Sequence, residues 1–163
     1  MNKKWIQQME IQDDEWFRFF NSKVKWFILE ENEDVLDKDI IDKYIYDKKG
    51  RMCAIELKSR LCNINSFNGI FIEEKKYNKL KEDFLERGFL PIYVNFFQDK
   101  EHVCIWDLRQ YFNGKKNIEK KTVTINNYGY GTQDNNQVRY LIPPRDGIYW
   151  EFEQSLDKYK RLW

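Results

Sequence analysis

The sequence predicts a mixed α/β or α+β fold, with helices packed against a central sheet. Two stretches repeat apolar residues every three to four positions, as amphipathic helices do, and several short apolar runs are bounded by turn residues, as strands are. The chain has 163 residues, of which 42% are apolar and 17% aromatic, enough for one well-packed core. We therefore expect a single domain spanning residues 1–163.

The first predicted helix covers residues 13–31. Its apolar side chains recur at helical spacing, and Asp13 stands before them where an N-cap residue is favoured. These apolar residues are Trp16, Phe17, Phe20, Val24, Phe27 and Ile28. The acidic stretch from residue 30 to residue 42 shows no clear strand, so the pattern leaves this part of the fold open.

A β-hairpin is predicted next. Residues 43–46 and 51–58 are β-rich, and residues 47–50 between them have the composition of a turn. Gly50 suits the positive φ angle that such a turn needs. We therefore expect two antiparallel strands at this point of the chain.

The second half of the chain predicts another helix and several strands. A stripe of Tyr77, Leu80, Phe84 and Leu85 indicates a helix that ends at Gly88. Strands are predicted at residues 70–72, 89–97 and 102–108, a peripheral pair at residues 122–126 and 137–142, and a closing helix at residues 150–163. The order of helix, hairpin, helix and strands places a sheet at the centre of the fold.

The charged end of the second hairpin strand is the candidate functional site. This strand is apolar on both faces until Glu56 and Lys58, which are two positions apart and so share one face, about 7 Å apart. Asp42 stands at the start of the partner strand, which an antiparallel hairpin brings beside the end of the second. Two carboxylates suit Mg²⁺, and a nearby lysine can stabilise charge on a phosphate. The sequence therefore predicts phosphodiester hydrolysis.

This arrangement resembles the PD-(D/E)XK nuclease superfamily, whose motif here is Asp42 followed by Glu56-Leu57-Lys58. The resemblance covers roughly residues 13–108, with Ile41 in the place of the eponymous proline. It implies a restriction-endonuclease-like fold with the core order α-β-β-β-α-β, and a nuclease that uses Mg²⁺ or Mn²⁺ to cut DNA. A phage or mobile-element accessory nuclease would fit this small size.

Further residues are candidates for the same site. The resemblance implies a role for Glu15, as the acidic residue of the first helix, and for Lys75 or Lys76, as substrate contacts at the start of the second. The Leu57 carbonyl is a candidate extra metal ligand, and Arg60 is a candidate phosphate contact.

Each of these assignments has an alternative. Asp39 or Asp47 could replace Asp42 as a metal ligand, although Asp47 belongs to the turn and so to the wrong end of the hairpin. Glu15 would be favoured in the first turn of a helix by the helix dipole alone. Surface lysines are usually solvated, and His102 at the start of a strand is typical of a surface or strand-end residue.

A segment rich in Tyr, Gly and Asn, residues 126–136, also has two interpretations. Its tyrosines and amides could stack on bases and hydrogen-bond to them, or the segment could be the tip of a long hairpin.

The overall composition excludes several classes of protein. Lys and Arg number 28 against 27 Asp and Glu, so attraction to nucleic acid would have to come from clustered charge. The three cysteines have no Cys-x-x-Cys spacing, which predicts reduced thiols in a cytoplasmic protein. No apolar run is long enough for a membrane span, so no membrane partner is expected.

The competing functions differ in class. The leading hypothesis is the DNA nuclease, and cutting both strands would suit a homodimer with two sites related by symmetry. The alternatives are a catalytically silent module on the same fold that binds nucleic acid or protein, and a globular interaction protein whose Glu-x-Lys triplet is accidental.

Overall fold

The computed structural model describes residues 3–29, 40–60, 70–97, 101–126 and 134–162. Its helices are α1 (Lys3–Val24), α2 (Glu74–Arg87) and α3 (Arg109–Phe112). Its strands are β1 (Lys43–Tyr46), β2 (Met52–Arg60), β3 (Ile70–Glu73), β4 (Leu90–Phe97), β5 (His102–Asp107), β6 (Glu119–Asn126), β7 (Asp134–Ile142), β8 (Ile148–Glu153) and β9 (Lys158–Arg161). The predicted mixed α/β class is confirmed.

Two sheets organise the described residues. A six-stranded mixed sheet has the order β1-β2-β4-β5-β8-β9, and a three-stranded antiparallel sheet has the order β3-β7-β6. Strands β2 and β4 are parallel, as expected when a crossover containing a helix, here α2, joins them. The other neighbouring strands of the large sheet are antiparallel.

The large sheet is covered on both faces. Phe17 and Phe20 of α1 are fully buried in one apolar cluster with Ile55 and Leu57 of β2. On the opposite face, Tyr77 and Leu80 of α2 lie in a second cluster with residues of β2, β4 and the small sheet. Because β2 is covered on both sides, the continuous apolar run that precedes Glu56 is explained.

Helix α1 differs from the prediction at both ends. It begins at Lys3 and ends at Val24, so Asp13 lies inside the helix and is not its N-cap. The chain turns at Lys25, which has a φ of 56°, and Phe27 then forms an isolated antiparallel bridge with Asp47. The predicted helical stripe was therefore extended too far, into a segment that pairs with the hairpin.

A buried asparagine explains this early end of α1. The Asn21 side chain donates to the Phe27 carbonyl (2.9 Å) and accepts from the Phe27 and Trp26 N–H groups (2.9 and 3.1 Å). These three bonds satisfy backbone groups that a continued helix would have paired internally. The periodicity of apolar residues alone does not reveal such a competitor.

The predicted C-terminal helix at residues 150–163 is wrong. The chain forms the antiparallel pair β8 and β9, with Trp150 opposite Arg161 and Phe152 opposite Tyr159. Asp157, with a φ of 48°, turns the chain between them. Trp150 and Phe152, two positions apart in β8, suit one face of a sheet, and the cross-strand contact of Phe152 with Tyr159, at 5.1 Å between ring centroids, supports the strand pairing.

The remaining predicted elements are confirmed with small changes. The hairpin turns through Gly50 at a φ of 81°, and α2 ends at Gly88 at a φ of 70°. The peripheral pair exists as β6 and β7, and it joins β3 in the small sheet. Leu85, predicted in the buried stripe of α2, is instead 61% exposed.

Two observations concern the predictions about membrane spans and cysteines. Among the described residues no helix is long and apolar enough to cross a membrane. Cys53 and Cys104 are buried free thiols, as predicted, and burial raises the pKa of the Cys53 thiol to about 12. Cys62 lies outside the described residues.

Candidate active site

The β1–β2 hairpin positions the two predicted carboxylates. Lys43 is paired with Ile55, so the preceding residue, Asp42, comes opposite Glu56. The Leu57 N–H donates a hydrogen bond of 2.8 Å to Asp42 Oδ2, which fixes the Asp42 side chain across the ladder. The predicted convergence of Asp42 and Glu56 is therefore present in the fold.

Glu56 is an unusually buried carboxyl group. It is 2% exposed, its Oε1 accepts a hydrogen bond from Lys76 Nζ, and its Oε2 has no hydrogen-bond partner among the described residues. Burial, and then the nearby charge of Asp42, raise the pKa of Glu56 well above its ordinary value, while Lys76 opposes both. A buried oxygen without a partner is costly, so this atom marks a position where a cation or donor would be stabilised.

Helix α2 contributes a lysine to the site. Lys76 forms an ion pair with Glu56, whereas the neighbouring Lys75 is exposed. Although burial acts to lower it, the charge of Glu56 raises the pKa of Lys76 above its ordinary value. Of the two lysines predicted as phosphate contacts, Lys76 therefore lies in the site itself and Lys75 lies on the solvated face.

Lys58 lies on the same face of β2 as Glu56, as its spacing predicted. Its side chain is exposed, and it is flanked by Arg60 and Lys76. Although the residue is exposed overall, neighbouring protein groups desolvate part of its side chain. This desolvation, and then the positive charges of Arg60 and Lys76, lower the pKa of Lys58, while Glu73 and Asp13 oppose the change. A cation held among other cations is a favourable partner for an incoming phosphate.

Arg60 is bound to the protein. Its guanidinium donates to the Asn95 side chain (2.6 Å), the Tyr93 hydroxyl (2.7 Å) and the Phe71 carbonyl (2.8 Å). These bonds tie β2 to β4 and β3 beside the site. The structure therefore gives Arg60 a bracing position, and its predicted phosphate contact would have to come in addition to these three bonds.

The acidic residue of α1 at the site is Asp13. The Ser59 hydroxyl donates to Asp13, and the charges of Asp42, Lys58 and Lys76 all act on this carboxylate. Burial raises the pKa of Asp13, which the bond from Ser59 opposes. Glu15, the predicted residue, is exposed, and no hydrogen bond or ion pair joins it to the other site residues described.

A sequence signal for Asp13 exists in hindsight. It lies four positions before Phe17 and seven before Phe20, so it is in phase with the buried stripe of the helix, while Glu15 is not. An ion pair of the neighbouring Asp14 with Lys43, next to Asp42, then fastens this part of α1 to the hairpin. An acidic residue that continues an apolar stripe was the clue that sequence reasoning missed.

The alternative candidates lie elsewhere. Asp47 is at the hairpin turn, where the N–H groups of Lys49 and Arg51 donate to Oδ1 and Arg51 Nε donates to Oδ2, so it is at the opposite end of the strand from Glu56. Asp39 lies outside the described residues, as do residues 127–133 of the Tyr/Gly/Asn segment. His102 begins β5, as predicted.

The donor set fits Mg²⁺ or Mn²⁺ in chemistry. Asp42 and Glu56 offer hard oxygen ligands from adjacent strands, one of them the buried Glu56 Oε2 without a partner. Within the described part of the chain, no group of three or more His, Cys, Asp or Glu side chains is arranged to hold a metal ion. Two protein carboxylates completed by water and substrate oxygens are the number that Mg²⁺ commonly takes.

Comparison with known proteins gives no match. No protein-family model matches the chain, and neither the curated proteins nor the solved structures contain a significant match to it.

Proposed function

We propose that this chain is a metal-dependent nuclease of the PD-(D/E)XK type that hydrolyses phosphodiester bonds of DNA. The observation that carries this proposal is the juxtaposition of Asp42 with the buried Glu56, on a strand that presents Lys58 from the same face. Charged residues are excluded from the middle of a covered strand unless they are paired or functional, so a carboxylate pair at its end favours a chemical role.

The order of the elements supports the same proposal. Helix α1 precedes an antiparallel hairpin, and α2 connects its second strand to the parallel strand β4. The bridge of Phe27 with Asp47, together with the 2.9 Å bond from the Ile28 N–H to the Tyr46 carbonyl, sets residues 27–28 antiparallel to the end of β1. We take this segment as the first of the three core strands in the order α-β-β-β-α-β.

The residues divide the chemistry among themselves. Asp42 and Glu56 would hold a divalent metal, and the carbonyl of Leu57, the residue after Glu56, is the candidate further ligand. A bound Mg²⁺ supplies Lewis-acid polarisation of the phosphate and lowers the pKa of a bound water. Lys58 would stabilise the negative charge that develops on the phosphate oxygens as the bond to the leaving group breaks.

A cleavage assay tests this division. Purified protein should cut DNA only with Mg²⁺ or Mn²⁺, and Lys58→Ala should lower the rate by about 100- to 1000-fold, the usual cost of losing one transition-state contact. Asp42→Asn and Glu56→Gln should be equally inactive and should also lose metal affinity, measured by calorimetry. Lys58→Ala should bind the metal as the wild type does.

A matched control uses the neighbouring lysine. Lys75→Ala removes an exposed positive charge two elements away in sequence from the motif and should keep the wild-type rate. A Lys58→Ala protein that cuts as fast as Lys75→Ala would refute the catalytic assignment. Absence of cutting by wild-type protein on duplex, branched and single-stranded DNA with both metals would refute the nuclease itself.

The second candidate function is a silent module on the same fold that binds nucleic acid or protein. The ion pair of Lys76 with Glu56 favours it, because an internal cation already neutralises one of the two carboxylates. The metal titration separates the two functions. A nuclease must bind a divalent metal at Asp42 and Glu56, whereas a silent module would show no saturable metal binding that Asp42→Asn abolishes.

A further inference from the structure

The hairpin of β6 and β7 is a feature that the candidate active site does not use. We call it the ribbon, residues 119–126 and 134–142. Strand β3 pairs with β7 only from Arg139 to Ile142, while β6 continues to pair with β7 as far as Asn126 opposite Asp134. Among the described residues the outer five pairs, beginning at Thr122 and Val138, therefore have only each other as strand partners.

This outer part of the ribbon is long for a strand pair that no third described strand supports. Five residues of antiparallel strand span about 17 Å, and an isolated two-stranded hairpin is only marginally stable in water. Thr122, Gln137 and Val138 at its beginning are exposed, as is Lys121 just before it. A two-stranded extension that no third described strand pairs with is more economically explained by a partner that it contacts than by a contribution to the fold.

The base of the ribbon is fixed beside the candidate active site. Tyr140 stacks on Tyr77 of α2, with ring centroids 3.8 Å apart and planes 18° apart, and Lys120 pairs with Glu74. Arg139 is opposite Glu73 in the ladder, and the charge of Glu73 acts on both Lys58 and Lys76. The junction of β3 and α2 thus connects the ribbon directly to the site.

We propose that the ribbon binds double-stranded nucleic acid by lying in a groove of the duplex. The active site would hydrolyse a phosphodiester bond of the same duplex. This inference rests on the proposed nuclease function and names its substrate class. A two-stranded β-ribbon is one of the elements that the major groove, about 12 Å wide, admits. Its two strands are only about 4.8 Å apart, so a ribbon is narrow enough to enter the groove with the side chains of one face toward the bases.

The residue types of the ribbon suit a duplex. Seven of the ten residues in its outer pairs are polar, and six of these are Thr, Asn or Gln, whose hydroxyl and amide groups hydrogen-bond to base edges. Its base carries Lys120, Lys121 and Arg139, the residue types that contact phosphates. Only three of the ten are apolar, which is too few for the buried centre of a protein interface.

The distribution of charge along the chain also favours nucleic-acid binding more than the net charge of the whole chain indicates. Residues 30–39 contain six carboxylates and one lysine, so the rest of the chain carries +6 while the whole carries +1. Lys121 is available for a phosphate because its pair with Glu119 is long, 3.7 Å, and both side chains are about half exposed.

Binding measurements in the Glu56→Gln background test the inference without cleavage. Fluorescence anisotropy would compare a labelled duplex of about 30 base pairs with a single strand of the same length over a range of salt concentrations. Lys121→Ala with Gln137→Ala should weaken duplex binding by about 10-fold, lower the salt slope by about one, and leave single-strand binding unchanged. Thermal melting would verify that the double variant is folded.

Lys48→Ala with Lys49→Ala is the matched control, because these lysines are exposed at the β1–β2 turn, at the other end of the hairpin from the site. Equal effects of the two double variants, or equal losses for duplex and single strand, would overturn the inference. A sedimentation result in which the wild type is a dimer and the ribbon variant is a monomer would also overturn it, since the ribbon would then bind a second copy of the chain.

The outcomes also separate this inference from the nuclease proposal. If wild-type protein cuts no DNA but the ribbon variant loses duplex binding, the nuclease proposal fails and the ribbon inference stands. If wild type cuts and the ribbon variant cuts limiting duplex at the same rate, the nuclease stands and the ribbon inference fails.

Discussion

Two adjacent lysines of α2 should differ sharply in their effect on stability. Lys76 is paired with Glu56, which is 2% exposed, while Lys75 is exposed to solvent. Lys75→Ala should change the free energy of unfolding by less than about 0.5 kcal/mol, as surface substitutions do. Lys76→Ala removes the partner of a buried carboxyl and should cost about 1–3 kcal/mol.

The magnitude for Lys76 lies below the ~3–5 kcal/mol expected for breaking a fully buried pair. The Lys76 side chain is 32% exposed, so solvent already screens part of the attraction, and Glu56 can take up a proton when the lysine is lost. For a protein of this size, the Tm should fall by about 2–4 °C for each kcal/mol. Urea denaturation and calorimetry, with divalent metals chelated, measure both quantities.

The pH dependence gives a second, independent readout. The pKa of Glu56 is raised in the folded state, so above its unfolded value the folded protein binds more protons than the unfolded chain, and stability falls as pH rises through that window. Removing Lys76 takes away the charge that opposes this shift. The deficit of Lys76→Ala should therefore grow as the pH rises above the ordinary pKa of a glutamate. Equal stabilities of the Lys75 and Lys76 variants, or a deficit that shrinks with rising pH, would refute the reasoning.

Three further predictions concern other parts of the fold. Burial raises the pKa of Asp47, but hydrogen bonds from Arg51 and Lys49 lower it, and the net shift is a decrease. Asp47→Asn should therefore lower the free energy of unfolding by about 1–3 kcal/mol at pH 7. In denaturation curves this difference should vanish as the pH falls below about 4. Gly147→Ala places a Cβ 2.4 Å from Cys104 Sγ and should lower the free energy of unfolding by about 1–3 kcal/mol through overpacking. Gly50→Ala meets open space and should lower it by about 1–2 kcal/mol through its φ of +81° alone. Only the Gly147 variant should alter the near-ultraviolet signal of Trp106. In a Cys62→Ser variant, native Cys53 and Cys104 should react with a thiol reagent only as fast as the protein unfolds, because burial raises the pKa of both thiols; rapid labelling at pH 7 would contradict this.

The hairpin and its carboxylates were predictable because their determinants are local. Side chains alternate along a strand, and a tight turn sets the register, so Asp42 and Glu56 meet across a short stretch of chain. The pairing of Lys76 with Glu56 was not predictable, because it depends on how α2 crosses the sheet between β2 and β4. A spacing pattern contains no information about that crossing.

The helix boundaries failed for a related reason. Apolar spacing continues through Phe27 and Ile28, but tertiary hydrogen bonds from Asn21 end α1 before them. The C-terminal pair β8 and β9 was misassigned because its aromatic residues fit helical and strand spacing equally well over so short a segment. Both errors concern elements whose state is decided by partners distant in sequence.

The position of Asn21 has a consequence for how the chain can vary. Asn21 fixes where α1 ends, and Asp13 lies eight positions before Asn21 in the same helix. This spacing directs Asp13 toward Ser59. Each residue of an α-helix turns the direction of a side chain by about 100°, so one residue inserted or deleted between Asp13 and Asn21 would carry Asp13 away from the site. This segment should therefore accept many substitutions on its exposed face, while a change in its length by a single residue should not be tolerated.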